Sequence, residues 1–226
     1  MDRVQLRGLR AAVAAYVLWG LLTIYWKQLS GLDAIEMIGW RVATATVFMA
    51  IVVSVTGRWG PIVATLRNRS TAIRITLASL LLTANWTTYV WAVVNDRVIE
   101  TALGYFLAPL GTMAVGVFVL GERLTPLKRW SIGFALVAVA VLTISYGAFP
   151  WVALVLAASW SWYGLTKRRV PLGPVESLTS ELLVLAVPAV ALVAAGFFRT
   201  GGVPDQASGA DWAFLVGTGA ITAIPL

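Results

Sequence analysis

The sequence predicts an all-α integral membrane protein, and three observations lead to that class. Of the 226 residues, 59% are hydrophobic and 12% are charged, whereas a soluble domain carries about 25% charged residues. The apolar residues fall into eight runs, most of them close to the ~20 residues with which a helix crosses ~30 Å of hydrocarbon. The runs do not alternate like barrel strands, and in lipid only helices or closed barrels satisfy their backbone groups.

The eight runs give the predicted spans in order. The first follows three arginines and resembles a secretory signal peptide, but seven further runs favour an uncleaved first helix. Six tryptophans near the span ends predict an aromatic belt at the membrane interfaces, and they are Trp26, Trp59, Trp91, Trp130, Trp151 and Trp212. The spans cover residues 11–26, 34–55, 75–94, 101–120, 130–146, 151–165, 178–198 and 212 to the end.

The positive charges between the spans predict the orientation. Of the 17 Lys and Arg residues, thirteen fall on one side of the membrane, three on the other, and Arg41 lies within a span. The three are Lys27, Arg97 and Arg199. Because cytoplasmic loops carry the excess of Lys and Arg, the pattern predicts a multi-pass plasma (inner) membrane protein with a cytoplasmic N-terminus. The net charge of +7 is then a topology signal, so the lipid bilayer is the predicted partner and nucleic acid is not.

Missing residue types exclude most catalytic chemistry. The chain has no Cys and no His, which removes thiol chemistry, imidazole metal ligands and the His base of an intramembrane serine protease. All five Asp residues lie outside the spans, so paired intramembrane Asp residues are lacking. No Gly-rich loop of the Walker type occurs, which argues against ATP-driven pumping. We therefore predict no catalytic residue, no metal site and no cofactor, and we do not expect an enzyme.

A faint internal repeat appears at an offset of 140 residues. Lys27, Leu32 and Glu36 fall on Lys167, Leu172 and Glu176, and the span boundaries keep the same register. Five spans precede the repeat, so the second unit enters the membrane from the opposite side, as in many secondary transporters. The prediction is a helical bundle of two inverted five-helix repeats, residues 1–146 and 150–226. Ten helices are expected, of which about eight are present, the second repeat stopping within its third helix.

Charged and polar residues inside the spans are the candidate functional residues. Arg41 and Glu181 lie within apolar runs and are equivalent in the repeat, so inversion places them at similar depths on opposite sides of the midplane. One interpretation is that both charges contact the solute or form a gate, in which case Arg41 favours an anionic or zwitterionic group of the solute. The other is that each charge is satisfied by nearby carbonyls or snorkels outward to water. Glu36 and Glu176 lie at span entrances, where a carboxylate stays hydrated near a positive helix N-terminus.

The third span contains a second group of candidates. Asn85 lies near mid-membrane with Tyr89 one turn on, so the two share a helix face that lines a cavity or bridges two helices. We expect most interior aromatic residues to serve in packing and a subset to line a pocket for an aromatic or amphiphilic solute. Those away from the belt are Trp19, Trp40, Trp86, Trp160, Trp162, Tyr105 and Tyr163.

The fourth span carries a stripe of small residues. Gly104, Ala108, Thr112 and Gly116 recur every fourth position, which lets another helix backbone approach closely. Pro109 in this span and Pro188 in the seventh should kink their helices. Such kinks serve either as hinges or as static packing features.

Several motifs resemble one family. The run from Asn85 through Trp86, Tyr89 and Trp91 to Asn95 is followed by Gly104-Tyr105-Phe106, Pro109-Leu110, Gly121-Glu122-Arg123-Leu124, Pro150-Trp151 and Tyr163-Gly164-Leu165. These residues resemble the RarD-type permeases of the EamA group in the drug/metabolite transporter superfamily, and Ala108 stands where that family usually has Asn. The resemblance implies ten helices in two inverted units with both termini cytoplasmic. Its members are called chloramphenicol-sensitivity proteins.

The resulting prediction is a secondary active transporter. It would export small organic metabolites or drugs by alternating access through a central cavity. The predicted substrate-binding or gating residues are Arg41, Asn85, Trp86, Tyr89, Tyr105, Tyr163 and Glu181. The alternative is a membrane subunit that does not transport or that needs a partner to complete its fold.

Overall fold

The computed structural model describes residues 3–123, 125–147 and 149–224, and every regular element in these ranges is an α-helix. Three parts of the predictions lie outside the described residues: Leu124 of the family motif, Ala148 between the fifth and sixth predicted spans, and the last two residues of the eighth predicted span. The helices are α1 (Arg3–Lys27), α2 (Ala34–Thr56), α3 (Trp59–Arg67), α4 (Arg69–Val94), α5 (Val98–Leu120), α6 (Pro126–Tyr146), α7 (Trp151–Lys167), α8 (Pro174–Phe198), α9 (Val203–Gln206) and α10 (Gly209–Ala223).

The all-α membrane class is confirmed, since each predicted span has a helix. In the described residues, six helices are long and apolar enough to cross a membrane by length and composition, namely α1, α2, α4, α5, α6 and α8. The remaining two are shorter, with 17 residues in α7 and 15 in α10. At 1.5 Å per residue these two cover roughly 25 and 22 Å.

Two short helices were not predicted. The first, α3, follows α2 after Gly57, which has the left-handed φ of 67° that glycine adopts without strain. Ile62 of α3 is fully buried, and α3 packs against α8. The second, α9, has only four residues and lies between α8 and α10. Neither segment is long enough to span the bilayer, so run length does not indicate these helices.

Side-chain caps define where several helices begin. Asp33 caps α2, its Oδ1 accepting from the backbone N–H groups of Ile35 at 3.0 Å and Glu36 at 2.9 Å. Ser208 and Asp211 form a reciprocal capping box at the start of α10. These caps satisfy N–H groups that have no partner within the helix.

The helices form two compact units, of which one comprises the residues up to Arg69 and those from Leu172 onward. In this first unit α2 packs against both α8 and α10. A Cβ at Gly39 of α2 would lie 3.0 Å from the Leu192 Cβ of α8, and the Thr46 Oγ1 donates to the Leu182 carbonyl at 3.4 Å. Residue numbers increase along α2 where those of the contacting residues in α8 decrease, so the two helices run antiparallel.

The second unit comprises Ser70–Pro171, in which α5 packs against α7. A Cβ at Gly104 would lie 2.8 Å from the Leu156 Cβ and 3.1 Å from the Ala153 Cα. The Ala108 carbonyl accepts a hydrogen bond from the Ser161 hydroxyl at 3.1 Å. The small-residue stripe therefore provides the close helix approach that was predicted, at its Gly104 and Ala108 positions. Gly116 instead faces the Glu122 carboxylate.

One tryptophan departs from the predicted aromatic belt. Trp26 is buried, with 1% of its surface exposed, whereas Trp130 is 69% exposed. The prediction that Trp26 is an interfacial anchor was therefore wrong. Its position at the end of α1 suggested the interface, but its indole packs under the Arg41 guanidinium of α2.

The two prolines that should kink their helices both lie inside helices. Pro109 lies in α5 and Pro188 in α8, and each helix continues through its proline.

Candidate solute site

Asn85 is the centre of a polar network in the second unit. Its side chain is buried on α4, and its Nδ2 donates to the Leu156 carbonyl at 3.2 Å and to the Ser159 Oγ at 3.0 Å, both on α7. Its Oδ1 accepts from the Tyr105 hydroxyl of α5 at 3.1 Å. Asn85 therefore joins three helices, because its nitrogen donates hydrogen bonds and its oxygen accepts one. These bonds remove much of the cost of burying an amide.

Four aromatic rings continue from this network, and we call them the aromatic ladder. Tyr89, Tyr105, Trp160 and Tyr163 follow one another at centroid distances of 5.9, 6.3 and 5.6 Å. These spacings lie within the ~4.5–7 Å of favourable aromatic pairs. Tyr105 has 39% of its surface exposed, and Trp160 and Tyr163 are half-buried. The ladder thus keeps accessible ring surface next to a hydroxyl and an amide.

A lysine lies at the far end of the ladder. The Lys167 Nζ donates to the Tyr163 hydroxyl at 2.8 Å and lies 5.1 Å from the centroid of that ring. Ser159, Tyr163 and Lys167 recur every four residues on α7, so they share one helix face. This face presents ring surfaces, hydroxyls and one cation. Such groups suit a small amphiphilic solute that has an aromatic ring.

Arg41 forms a separate cluster in the first unit. It is 5% exposed, its Nε donates to the Thr222 Oγ1 of α10 at 3.0 Å, and its Cζ lies 5.2 Å from the centroid of the Trp26 ring. A desolvated cation over a tryptophan face gains ~2 kcal/mol. The guanidinium is therefore held inside the unit by a hydroxyl and an indole. This differs from the snorkelling alternative, in which it would extend toward water.

Threonines extend the Arg41 cluster into a polar seam between α2 and α10. The hydroxyls of Thr44 and Thr218 lie 3.1 Å apart. A Cβ at Gly219 would lie 2.5 Å from the Thr44 carbonyl carbon, so only glycine permits this approach of α10. The contact between α2 and α10 thus carries the buried Arg41 guanidinium bonded to the Thr222 hydroxyl, with the Thr44–Thr218 hydroxyl pair on the same contact.

Glu181 is also buried in the first unit. It is 1% exposed on α8, and the Ser177 hydroxyl donates to its Oε1 at 3.2 Å. The register set by the Thr46–Leu182 hydrogen bond separates Arg41 and Glu181 by about six residues along the antiparallel pair, or ~9 Å. The two buried charges are therefore at different levels of the same helix pair.

The predicted site residues fall into two groups. Asn85, Tyr89, Tyr105 and Tyr163 come together in the second unit, where Trp86 is also largely buried on α4. Arg41 and Glu181 belong to the first unit. The residues that the site prediction missed are Ser159, Lys167 and Thr222, and the four-residue spacing along α7 was the signal for the first two. Among the described residues, no group of three or more His, Cys, Asp or Glu residues could hold a metal ion.

Comparisons with known proteins agree with this architecture. Residues 6–144 match the model of the EamA-like transporter family. Protein RarD of Streptomyces exfoliatus is 39% identical over 230 residues, which cover all of this chain and 71% of the relative. The uncharacterized transporter YojE of Bacillus subtilis (strain 168) is 32% identical over 224 residues, 97% of this chain and 74% of its own length.

A further relative has a more specific name. The chloramphenicol-sensitive protein RarD of Pseudomonas aeruginosa is 32% identical over 194 residues, which cover 84% of this chain and 64% of the relative. No solved structure matches the chain. The family match over more than half of the chain and the apolar helices lead to one conclusion: this chain belongs to the EamA-like transporter family and is a membrane transporter protein of the RarD type.

Proposed function

We propose that the chain is a secondary active transporter that exports small organic metabolites or drugs by alternating access through a central cavity. The observation that carries the proposal is the Asn85 network with the aromatic ladder. It combines a buried amide, two hydroxyls and partly exposed rings in one unit. Solute sites of this kind are mostly apolar and aromatic, with a few polar groups that fix orientation.

Two inverted repeats, residues 1–146 and 150–226, are the proposed basis of alternating access. At the 140-residue offset, α7, α8 and α10 correspond to α1, α2 and α4. The equivalent helices α2 and α8 pack against each other in opposite directions, as two helices related by an axis in the membrane plane would do. The charge pattern of the links supports a cytoplasmic N-terminus in the inner membrane.

The buried charges have a proposed role as gate or solute-charge contacts. Arg41 and Glu181 are each held by a hydroxyl, from Thr222 and Ser177 respectively. Burying a charge in lipid surroundings is costly, so its retention favours a role in the passage of solute. Catalysis is not proposed, because the chain lacks His and Cys and the relatives are named as transporters.

Chloramphenicol is the probe that the ladder suggests. It is a small uncharged molecule with one aromatic ring, hydroxyls and an amide, which matches the groups around Tyr105. Its use is also suggested by the name of the Pseudomonas aeruginosa relative.

Efflux of radiolabelled chloramphenicol from proteoliposomes tests the proposal. We expect faster efflux with the chain than from protein-free vesicles, and a clear reduction in Tyr105→Phe, which removes the hydroxyl that binds Asn85. The matched control is Tyr16→Phe, the same change on an exposed ring of α1. Equal efflux from vesicles with and without the chain would contradict autonomous transport of this solute and favour the partner-dependent alternative.

A further inference from the structure

Two ion pairs join α2 and α8 in a reciprocal arrangement. Near the start of α2, the Glu36 Oε1 lies 3.3 Å from the Nη1 of Arg199, which directly follows α8. Near the start of α8, the Glu176 Oε1 lies 3.3 Å from the Nη1 of Arg58, which follows α2. Each helix therefore contributes a carboxylate from its first turn and an arginine from just beyond its last turn.

The arrangement follows the internal repeat. Glu36 and Glu176 are separated by 140 residues, and the position equivalent to Arg58 is residue 198, next to Arg199. Since α2 and α8 run antiparallel, one pair lies at each end of the helix pair. The expectation of a hydrated carboxylate at the helix entrance was wrong for Glu36, which is buried, and both Glu36 and Glu176 contact an arginine that follows the other helix.

The Glu36 end is closely packed. The carboxylate is 4% exposed, and its Oε2 accepts from the Val203 backbone N–H of α9 at 2.7 Å. A Cβ at Gly196 of α8 would lie 2.6 Å from the same Oε2, and a Cβ at Gly202 would lie 2.2 Å from the Gly196 carbonyl oxygen. Two glycines are thus required for the chain after α8 to fold over this carboxylate.

The Glu176 end is held in a different way. Its carboxylate is 13% exposed, against 4% for Glu36, while the two arginine side chains are both largely exposed, at 51% for Arg58 and 62% for Arg199. The two pairs therefore differ in the burial of the carboxylate, and water reaches both arginines. Here α3 adds a second contact, because it continues from α2 and packs against α8 around the buried Ile62. Between the two ends, Gly39 brings the backbones of α2 and α8 together near Ala189 and Leu192.

We propose that Glu36 and Glu176 are positioning residues that keep α2 and α8 together as one static pair throughout the transport cycle. An ion pair at each end, with the Gly39 contact and the packing of α2 against α8 between them, holds the two helices together. Solute therefore does not pass between α2 and α8, and Arg41 and Glu181 act as fixed charges on this pair. The inference rests on the proposed transport function, because a static element has meaning only in a protein that changes conformation.

Spin labels on a chain that has no native Cys test the proposal. Label pairs at positions 35 and 198 report the Glu36 end, and pairs at positions 55 and 175 report the Glu176 end. The full chain is reconstituted in phosphatidylethanolamine–phosphatidylglycerol vesicles and measured with and without chloramphenicol. We expect one narrow distance distribution at each end, unchanged by the solute. Two populations or a solute-dependent shift at either end would overturn the static pair.

Substitutions then test the two carboxylates. Glu176→Gln should broaden the distance distribution at its own end and leave the Glu36 end narrow, and Glu36→Gln should do the reverse.

A charge swap tests whether the pair acts through its charges. The double variant Glu176→Arg with Arg58→Glu should restore the narrow distance distribution and most of the flux lost in Glu176→Arg alone, since opposite charges still face each other. No restoration in this folded variant would overturn a charge-based positioning role. Absence of flux in the unsubstituted chain would contradict the transport proposal, while the label distances would still decide whether the pair is held by its ion pairs.

Discussion

Tyr105 of α5 donates its hydroxyl hydrogen to the Asn85 side-chain oxygen of α4 at 3.1 Å, while the Asn85 amide nitrogen donates to α7. Three helices of the second unit therefore meet at one side chain. The same tyrosine ring lies 6.3 Å from Trp160. The side chain at which the three helices meet is thus hydrogen-bonded to a ring of the aromatic ladder that we propose to contact solute.

Asn85→Ala should loosen the second unit. Its three interhelical hydrogen bonds contribute roughly 0.6 kcal/mol each on average in a membrane, so we expect a loss of about 1–2 kcal/mol in the free energy of unfolding. Titration with sodium dodecyl sulfate from mild detergent measures it. Asn95→Ala is the control, because in the described residues that amide donates to the Trp91 carbonyl one turn earlier and bridges to no second helix. Equal losses in both variants would contradict the bridging role.

Gly104→Ala should overpack the contact between α5 and α7. The added methyl would lie 2.8 Å from the Leu156 Cβ and 3.1 Å from backbone atoms of Ala153, and overpacking of this kind costs about 1–3 kcal/mol. Gly133→Ala on α6 is the control, since within the described part of the chain no atom beyond the neighbouring backbone of its own helix lies within 4 Å of its added Cβ. We expect that variant to unfold at an equal or slightly higher denaturant concentration. Stability of Gly104→Ala equal to that of the unsubstituted chain would show that the helices do not pack this closely.

Arg41→Met should separate function from stability. The change removes the cation–π contact with Trp26, about 2 kcal/mol, and the hydrogen bond to Thr222, but it also removes the cost of burying a charge, so the free energy of unfolding should fall by at most about 2 kcal/mol. Flux should fall at least about tenfold if the charge contacts the solute or a gate. Stability and flux are measured on the same preparation. Unchanged flux would assign Arg41 to packing against Trp26 and Thr222 alone.

The cap of α10 gives a pH-dependent prediction outside the predicted span. Hydrogen bonds from the Ser208 hydroxyl and then its backbone N–H lower the pKa of Asp211 below the ordinary value of 3.8. A lowered pKa stabilises the folded form above pH 3.8, and this contribution is lost as the pH falls through the lowered value. Ser208→Ala should raise the Asp211 pKa toward 3.8 and weaken the start of α10, because the side-chain cap is lost. Carboxyl NMR titration measures the pKa, and an unchanged value would contradict the cap.

Much of the fold could be predicted because apolar run length is a strong signal in lipid. The start of α2 at Ala34 and the end of α8 at Phe198 agree with the predicted spans. The aromatic candidates Tyr89, Tyr105 and Tyr163 could be chosen from their positions inside spans, and the structure brings them together in one ladder.

The remaining features depend on contacts between distant parts of the chain. Trp26 has the position of an interfacial anchor, and only the approach of Arg41 shows that it is buried. Glu36 reads as a helix-entrance carboxylate, and its partner lies 163 residues away at Arg199. Short helices such as α3 lack a span-length signal. Such pairings are set by tertiary packing, which hydrophobic periodicity does not encode.

Counterflow of chloramphenicol in proteoliposomes tests the central claim of alternating access most directly. Vesicles containing the chain are loaded with unlabelled solute and diluted into a trace of labelled solute. A carrier that exposes one site to each side in turn predicts a transient accumulation of label above equilibrium, reduced in Tyr105→Phe and retained in Tyr16→Phe. Label that rises to equilibrium without any overshoot, at the rate of protein-free vesicles, would contradict the account.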